Sequence, residues 1–585
     1  MGTATRGRAV VVAWIALAAA VALVGAQSGS SPARAAGAAC STSGTWRQGE
    51  LNVYWFDVEQ GDSQLIVGPT GKTLLIDLGE TAWNSTGTST MSRRIANAIR
   101  RICGVASGGV HLDYVNASHH HLDHIGYAGN PNDTQTVGNG LYRLLTPSGE
   151  DFTVGTLLDR DGGTWTDANG DGDCDVGTSS NPAPEIAWHN AGTTSQTARR
   201  WMCWLYGPAS QPDRANIAGH VTTLTNSAPW PTLDLGGGAT ASIVLANAKG
   251  VKMVDGVTPV SGDHTGDPTP PSENDYSVAI KVVHGPFEYV TAGDADGEYA
   301  TSSFGYTYND VEAHIKNVVG NVEVMRANHH GSAHSSSHAY VTTLAPESAF
   351  VSCGSNSYGH PGNRVVDELQ SVVNERGVGA DVYLANNPCD PYQADGVTPT
   401  DYSGTFNSNG DVWLHTTSGG AGYQIDYDAG MRSYATYSEG SGGGSAGPED
   451  VRVNEYMMAP QSSGTNEWIE LYNPTSSAVA IGGLYVDDVA AGGGAPKQIP
   501  AGTSIAPGGR YVVEFASGFL NNTGSESVRY LAISGGAETV YDSTTYNLST
   551  TRYDQVFHRI GDGGAWCNTI STSVTKGTAN PATCP

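Results

Sequence analysis

The seven residues Ser118-His119-His120-His121-Leu122-Asp123-His124 constrain this chain more than any other stretch. They follow directly on the apolar run LDYVNA, so a strand ends and a cluster of imidazoles with a carboxylate begins. Read as H-x-H-x-D-H, the segment puts His119 and His121 on one side of an extended turn and Asp123 with His124 at its exit. Such a group begins two adjacent metal sites, because imidazole plus carboxylate suits Zn²⁺, or Mn²⁺ and Fe²⁺ where the donors are harder. With 17 histidines in 585 residues, the frame arises by chance in roughly one such chain in a thousand, so it reads as metal binding. A half-site cannot hold two ions, and the missing ligands are expected from later strand ends. Asp294 in TAGD, after FEYV, is the candidate bridging carboxylate. His329 and His330 in NHHGS, after VEVMRA, and His360 in YGHP are the candidate later imidazoles.

Around these motifs the chain reads as mixed α/β. Strands are expected near 51–58, 73–77, 114–118, 277–283, 287–291, 322–325 and 380–384, each running into a polar or glycine-rich loop. Helices are expected over 91–103, with Ile95, Ile99 and Ile102 on one face, and over 363–376, closed by Gly377. Residues 128–272 are rich in Gly, Thr and Asn and read as a loop-rich insertion around the site. Within them, Asp167, Asn169, Asp171, Asp173 and Asp175 place oxygens at alternate positions around Gly172, a pattern that suits structural Ca²⁺, although the twelfth position is Thr178 and not Glu.

Three features speak to compartment and organisation. Arg6 and Arg8 precede the uncharged run VVVAWIALAAAVALVGA, and Ala33-Arg34-Ala35 follows, so residues 1–36 read as a secretory signal with an A-x-A cleavage site. No second hydrophobic span appears, and no membrane association is expected once the signal is removed. Eight cysteines, none in a C-x-x-C pair, fit disulfides in an oxidising compartment, and nearest-neighbour pairing joins Cys567 to Cys584 and Cys353 to Cys389. Residues 433–449, with SEGSGGGSAGP at 438–448, read as a flexible linker between a module over 37–432 and one over 450–585.

Charge bounds the partners. The net charge is −28, of which residues 450–585, with 12 acidic and 7 basic side chains, hold only −5. The acidity therefore sits on the metal-motif module. Without clustered Lys and Arg, a stable complex with nucleic acid is not expected. An enzyme that cuts a polyanion through bound metal is not excluded.

The ordered motifs LNVYWFDVEQGDSQLIVGPTGKTLLIDLGE, SHHHLDHIGY, SENDYSVAIKV, TAGDAD, NHHGSAHSSS and SNSYGHP resemble the metallo-β-lactamase-fold domain of the competence protein ComEC and its secreted relatives, over about residues 50–415. The resemblance implies a metallo-β-lactamase αββα sandwich. It makes His119, His121, Asp123, His124, Asp294 and His329 metal ligands for two divalent ions, Zn²⁺ or Mn²⁺. Asp77 matches the family's first-motif aspartate, which orients a ligand histidine from behind, and Asp62 lies on a loop near the same edge. The family's histidine between the first motif and the bridging aspartate has no clear counterpart, with His189, His220 and His264 as the choices. Asp123, His330 and His360 are the expected catalytic residues, His330 or His360 protonating the leaving oxygen and Ser332 holding substrate oxygens. The implied activity is a secreted phosphodiesterase or nuclease acting on extracellular DNA or another phosphodiester through a metal-bound hydroxide. Phosphocholine-ester, other ester or lactam hydrolysis, or a catalytically inactive surface-binding protein, are the alternatives.

Residues 450–585 resemble a lamin-tail domain, a small immunoglobulin-like β-sandwich, through VNE, NEWIELYNP, GGLY, IAPGG with RYVVEF, and RIGDGGAW. Alternating strands between Gly/Pro turns support a sandwich independently. An accessory module binding a cell surface or polymer is expected, with Trp468 and Tyr472 in its core.

Overall fold

The strands Asn52–Trp55, Gln64–Val67 and Thr73–Ile76 are buried at every position, which a strand achieves only when both faces of its sheet are covered. The computed structural model describes residues 37–585 apart from 80–89, 130–137, 265–270, 302–306, 386–403, 437–447 and stretches of one to four residues elsewhere. The expected signal, most of the expected linker and Cys389 lie outside the described residues.

Two sheets face each other. The first, of nine strands, runs in the order Val221–Leu224, Thr153–Arg160, His111–Ala117, Thr73–Ile76, Gln64–Val67, Asn52–Trp55, Val412–Thr416, Gly422–Tyr427, Gly430–Ala435. The second, of eight, runs Thr232–Gly236, Ala239–Leu245, Ala279–His284, Phe287–Thr291, Val324–Arg326, Ser348–Val351, Asp381–Leu384, Phe406–Asn407. Alternation along each strand divides the core. Leu65, Val67 and Leu75 pack outward on Ile95, Ile99, Leu141 and Trp201 from the helices Thr90–Cys103, Gly140–Leu145 and Gln196–Tyr206. Ile66, Leu74 and Ile76 point the other way and meet Ile280, Val282 and Phe287 of the second sheet. Trp55 crosses that gap, its ring stacked 3.6 Å from Phe350 and edge-on to Tyr289 at 5.3 Å. The second sheet's outer face is covered by the helices Val311–Val319, His338–Leu344 and Asn363–Ser371 through Ile315, Val341 and Leu369. The layers are helix, sheet, sheet, helix, the αββα sandwich expected.

Two expectations need correction. The helix read over 363–376 ends at Ser371, where Val372 turns to extended backbone and Gly377 (φ 76°) closes the following turn instead of the helix itself. The stretch 128–272 is not wholly an insertion, because it supplies four strands to the two sheets and two core-covering helices. Its strands outside the main sheets narrow to two small hairpins between Gly163 and Trp188, tied down by the Cys174–Cys203 disulfide. Composition misled here, since Gly and Thr were taken as loop-forming where they sit in or beside edge strands.

Further disulfides join Cys40 to Cys103 and Cys567 to Cys584, the latter as expected. Among the described residues, no helix is long and apolar enough to cross a membrane. Strands after residue 450 form two four-stranded antiparallel sheets, Arg510–Phe515, Glu467–Tyr472, Arg452–Met457, Phe557–His558 and Lys497–Gln498, Tyr485–Asp487, Gly524–Ser534, Ala537–Leu548. Val453, Ile469 and Val513 from one face Val486, Val528 and Tyr530 from the other, a sandwich core. Trp468 is buried on the opposite face with Met457 and Val556, while Tyr472 is half-buried beneath Arg510.

Burial, reinforced by Glu470 and Asp562, raises Glu455 from the usual 4.5 to about 7, although its Oε1 accepts the Thr575 N–H at 2.9 Å. A folded state that holds this proton more tightly than the unfolded chain has its full stabilisation below the unfolded value and loses it as pH rises through about 7. Melting of the full chain should therefore drop between pH 5 and pH 8, on the order of those two values, by more than melting of Glu455→Gln does. A constant offset between the two proteins over that interval would contradict this assignment.

Candidate metal centre

The motif loops all leave the carboxyl ends of parallel strands. Thr73–Ile76 and His111–Ala117 pair in parallel in one sheet, and Phe287–Thr291, Val324–Arg326 and Ser348–Val351 do so in the other. Loops at such ends are where open α/β sheets place their ligands. Asp77, His329 and His330 emerge in the left-handed region, with φ of 57°, 49° and 53°. Residues with a Cβ avoid this conformation at a cost of about 1–2 kcal/mol each, so their side chains are aimed at the expense of local strain.

Four imidazoles have one nitrogen fixed from behind. Ser118 donates its N–H to Asp77 Oδ1 at 2.8 Å and its hydroxyl to Oδ2 at 2.6 Å, and His124 Nδ1–H reaches the same Oδ2 at 2.8 Å. His119 Nδ1 lies 3.1 Å from Ser118 Oγ. His330 Nδ1–H donates to the Ser352 carbonyl at 2.9 Å, and His329 Nδ1–H to Asp296 Oδ1 at 2.9 Å. These partners turn Nε2 of all four rings to the opposite side.

Those faces converge on Asp294. Its Oδ1 lies 3.1 Å from His124 Nε2, while Oδ2 is 3.5 Å from His330 Nε2, 3.9 Å from His329 Nε2 and 4.0 Å from His119 Nε2. Asp123 Oδ2 stands 3.6 Å from His330 Nε2. Asp123, His124, Asp294 and His330 bring one ligand atom each within 4.8 Å of the others, close enough for one cation. His121 completes the opposite flank, its Nδ1 facing His119 Nε2 at 3.1 Å.

Burial, with His124 and His121 alongside, holds His119 well below the ordinary imidazole value, and burial lowers His121 as well. His124 goes the other way. Burial opposes its charge, but Asp294 and Asp77 on its two nitrogens outweigh burial and hold it well above the ordinary value. Asp294 is buried too, yet His124, His330 and His329 keep it well below the carboxylate range. Ring nitrogens facing a buried carboxylate are a donor set for a divalent ion, and the fixed Nδ1 partners fit ligation through Nε2.

The structure brings together every ligand expected from the sequence and rearranges the histidine pair. His330, expected as a proton donor, lies inside the Asp123–His124–Asp294 group, while His329, expected as a ligand, lies outside that group with its Nε2 3.9 Å from Asp294 Oδ2. In this arrangement Asn274 Nδ2–H serves the His329 Nε2 lone pair at 3.2 Å. His360 is at the rim, its ring 5.0 Å from His329 and 6.3 Å from His330. Burial and those two rings hold it well below the ordinary value. Of the histidines suggested for the missing position, His189 Nδ1 is taken by Asp161 and His220 Nδ1 by the Gly155 carbonyl, while His264 is buried. Asp62 is buried behind the site, as its loop position suggested. In the 167–175 loop, Asp167 and Asp171 join Glu185, and not Asp173 or Asp175, in a group close enough for one cation, while Asn169 caps Asp171 N–H through its Oδ1.

Sequence reasoning gave no role to the individual residues of SENDYS, the segment that ties the motifs together. Glu273 Oε1 accepts the His120 N–H at 2.9 Å, and its two oxygens accept Nε–H and Nη2–H of the buried Arg160 guanidinium at 2.6 Å each. The next residue, Asn274, meets His329; Ser277 Oγ accepts the Asp294 N–H at 3.1 Å. His120, the middle histidine, points away to Asp159 at 3.0 Å, as alternation requires. The string SENDYS carried this signal, but only an isolated Glu and Asn were visible in it.

Residues 445–556 match the Lamin Tail Domain family model. A segment of 106 residues is 29% identical to "ComE operon protein 3" of Bacillus subtilis (strain 168), spanning 18% of this chain and 12% of that protein. The crystal structure of Tm1679, described as a metal-dependent hydrolase of the β-lactamase superfamily, aligns over 57% of this chain and 95% of its own, at 12% identity and a TM-score of 0.27.

Glu273→Ala leaves Arg160 buried without its carboxylate, and urea unfolding of chelator-treated protein should show a loss of about 3–5 kcal/mol. A loss under about 1 kcal/mol, typical of a surface ion pair, would contradict the role given to this pair.

Proposed function

We propose that the chain is a secreted, metal-dependent hydrolase of phosphodiesters, extracellular DNA among them. The observation that carries this reading is the convergence of His119, His121, Asp123, His124, His329 and His330 on the buried Asp294. His119, His121 and His329 would hold one divalent ion, zinc or manganese. Asp123, His124 and His330 would hold the other, and Asp294 would be shared. His329 thereby takes the place of the histidine missing between the first motif and Asp294. Ions so bound supply an acidified water and neutralise charge on the phosphoryl oxygens.

The chain's own groups do the rest. Asp77, Asp296, Ser118 and the Ser352 carbonyl hold the rings so that no reorganisation is needed at the moment of reaction. His360, at the rim, enters as a neutral ring, and an anionic phosphate beside it would restore its proton and let it pass that proton to the leaving oxygen. Ser332, whose backbone N–H is bonded to the His329 carbonyl, stands next to the same histidines to orient substrate oxygens. The acidic module disfavours lasting retention of a polyanion, which suits turnover instead of storage. Disulfides and the signal-like start of the chain support export, and the C-terminal sandwich would tether the enzyme to a surface or polymer.

Mature protein stripped by chelator and reloaded with Zn²⁺ or Mn²⁺ should hydrolyse DNA or a bis-aryl phosphodiester, and His121→Ala should lose at least about a hundredfold in kcat/KM. Turnover confined to phosphocholine esters or lactams would overturn the substrate assignment. No turnover of any of these, with His121→Ala indistinguishable, would overturn the enzyme reading. His360→Ala should slow an alkyl diester by about 10²–10⁴-fold and a p-nitrophenyl diester, whose leaving group needs no proton, far less; equal losses would remove His360 from proton transfer.

A further inference from the structure

Behind the converging ligands lies a fully buried cation that no motif announced. Arg326, last residue of the strand Val324–Arg326, has no solvent exposure. Its Nε is 3.1 Å from Asp62 Oδ2, its Nη1–H donates to the Gly293 carbonyl, and its Nη2 lies 3.5 Å from Asp294 Oδ1 and 3.5 Å from His330 Nδ1. One guanidinium thus spans the loops that carry Asp62, Asp294 and His330.

Asp62 is held just as fully. Its Oδ2 accepts Gln64 Nε2–H at 2.8 Å and its Oδ1 accepts the Ser352 hydroxyl at 2.8 Å, while the carbonyl of that same Ser352 fixes His330 Nδ1. The Asp62 N–H also accepts a fixed place, donating to the Asp123 carbonyl at 2.9 Å. A buried ion pair of this kind gives little net stability, since desolvation offsets attraction, so apolar residues would serve a purely structural purpose as well. What an Arg fork gives that they cannot is direction, through several donors in one rigid plane.

That direction falls on one oxygen of the shared carboxylate. Oδ1 of Asp294 faces Arg326 and His124, whereas Oδ2 faces His119, His329 and His330, nitrogens from both flanks. We infer that Arg326, paired with Asp62, is a positioning residue that engages Asp294 Oδ1 and thereby makes Oδ2 the oxygen shared between two metal ions. This rests on the metal-centre reading above. Because the pair touches neither substrate nor reacting atoms, its effect should appear in metal binding before any substrate is added.

Wild type, Arg326→Met, Arg326→Lys and Ser352→Ala are loaded with Mn²⁺, with bound metal per chain measured by mass spectrometry, affinity by calorimetry and Mn–Mn coupling by electron paramagnetic resonance. Wild type should bind two ions with a coupled signal. Arg326→Met, if its circular dichroism is native, should lose tenfold or more in affinity for the second ion or lose the coupling. Arg326→Lys, with charge but no fork, should recover only part, and Ser352→Ala should shift in the same direction by less. Wild-type affinity and coupling in Arg326→Met would overturn the inference. Should Arg326→Met not fold, unchanged affinity and coupling in Ser352→Ala would do so. Failure of wild type to bind metal would instead overturn the metal-centre reading itself, and turnover of a different substrate class would leave this inference standing.

Discussion

A carboxylate buried among imidazoles is the interaction around which this end of the molecule is built. Asp294 has essentially no access to water. Leaving a charge in that state costs several kcal/mol unless a cation compensates it. In the metal-free protein the compensation comes from His124, held protonated between Asp294 and Asp77, and from Arg326 at the back. Divalent ions coordinated by the same rings would take over that task and displace the proton from His124.

The cost of the arrangement is visible elsewhere. Asp77, His329 and His330 hold left-handed backbone that side chains disfavour, and the segment around His329 and His330 is stapled by two side chains. Glu312 accepts N–H groups from Ser336 and Ser337 and from the Asn328 amide, and Arg364 donates to the carbonyls of Ala333, Ser335 and Ser336. Packing of the helix Val311–Val319 against the second sheet places Glu312 where this can happen. Fold and site are therefore coupled through a few buried polar contacts, and strain at the ligands is borne by the surrounding network.

Much of this was legible in the sequence, and the parts that were not share a cause. The H-x-H-x-D-H frame, Asp294 and the histidine pair were visible because metal ligation needs scarce residue types at set intervals, and Asp77 through the family resemblance. The mixed α/β character followed from short apolar strands entering polar loops, and the two-sheet sandwich from the family resemblance. The division of labour between His329 and His330 was not visible, since adjacent residues in a left-handed turn point in directions that spacing does not encode. Glu273, Arg160, Asp296, Arg326 and Ser352 were also missed. Each acts through a partner far away in the chain, and a buried Arg or Glu looks in sequence like any surface charge. The strands at 153–160, 221–224, 232–236 and 239–245 were hidden by Gly- and Thr-rich composition that also suits edge strands.

Net charge alone pointed away from nucleic acid, yet the −28 is concentrated where carboxylates surround a cation-binding arrangement. The account depends on two ions sharing Asp294, and anomalous X-ray scattering from crystals of the Zn²⁺- or Mn²⁺-loaded protein tests that most directly. It predicts two peaks either side of Asp294, one among His119, His121 and His329 and one among Asp123, His124 and His330. A map with no peak at Asp294, in protein shown to be loaded, would contradict it.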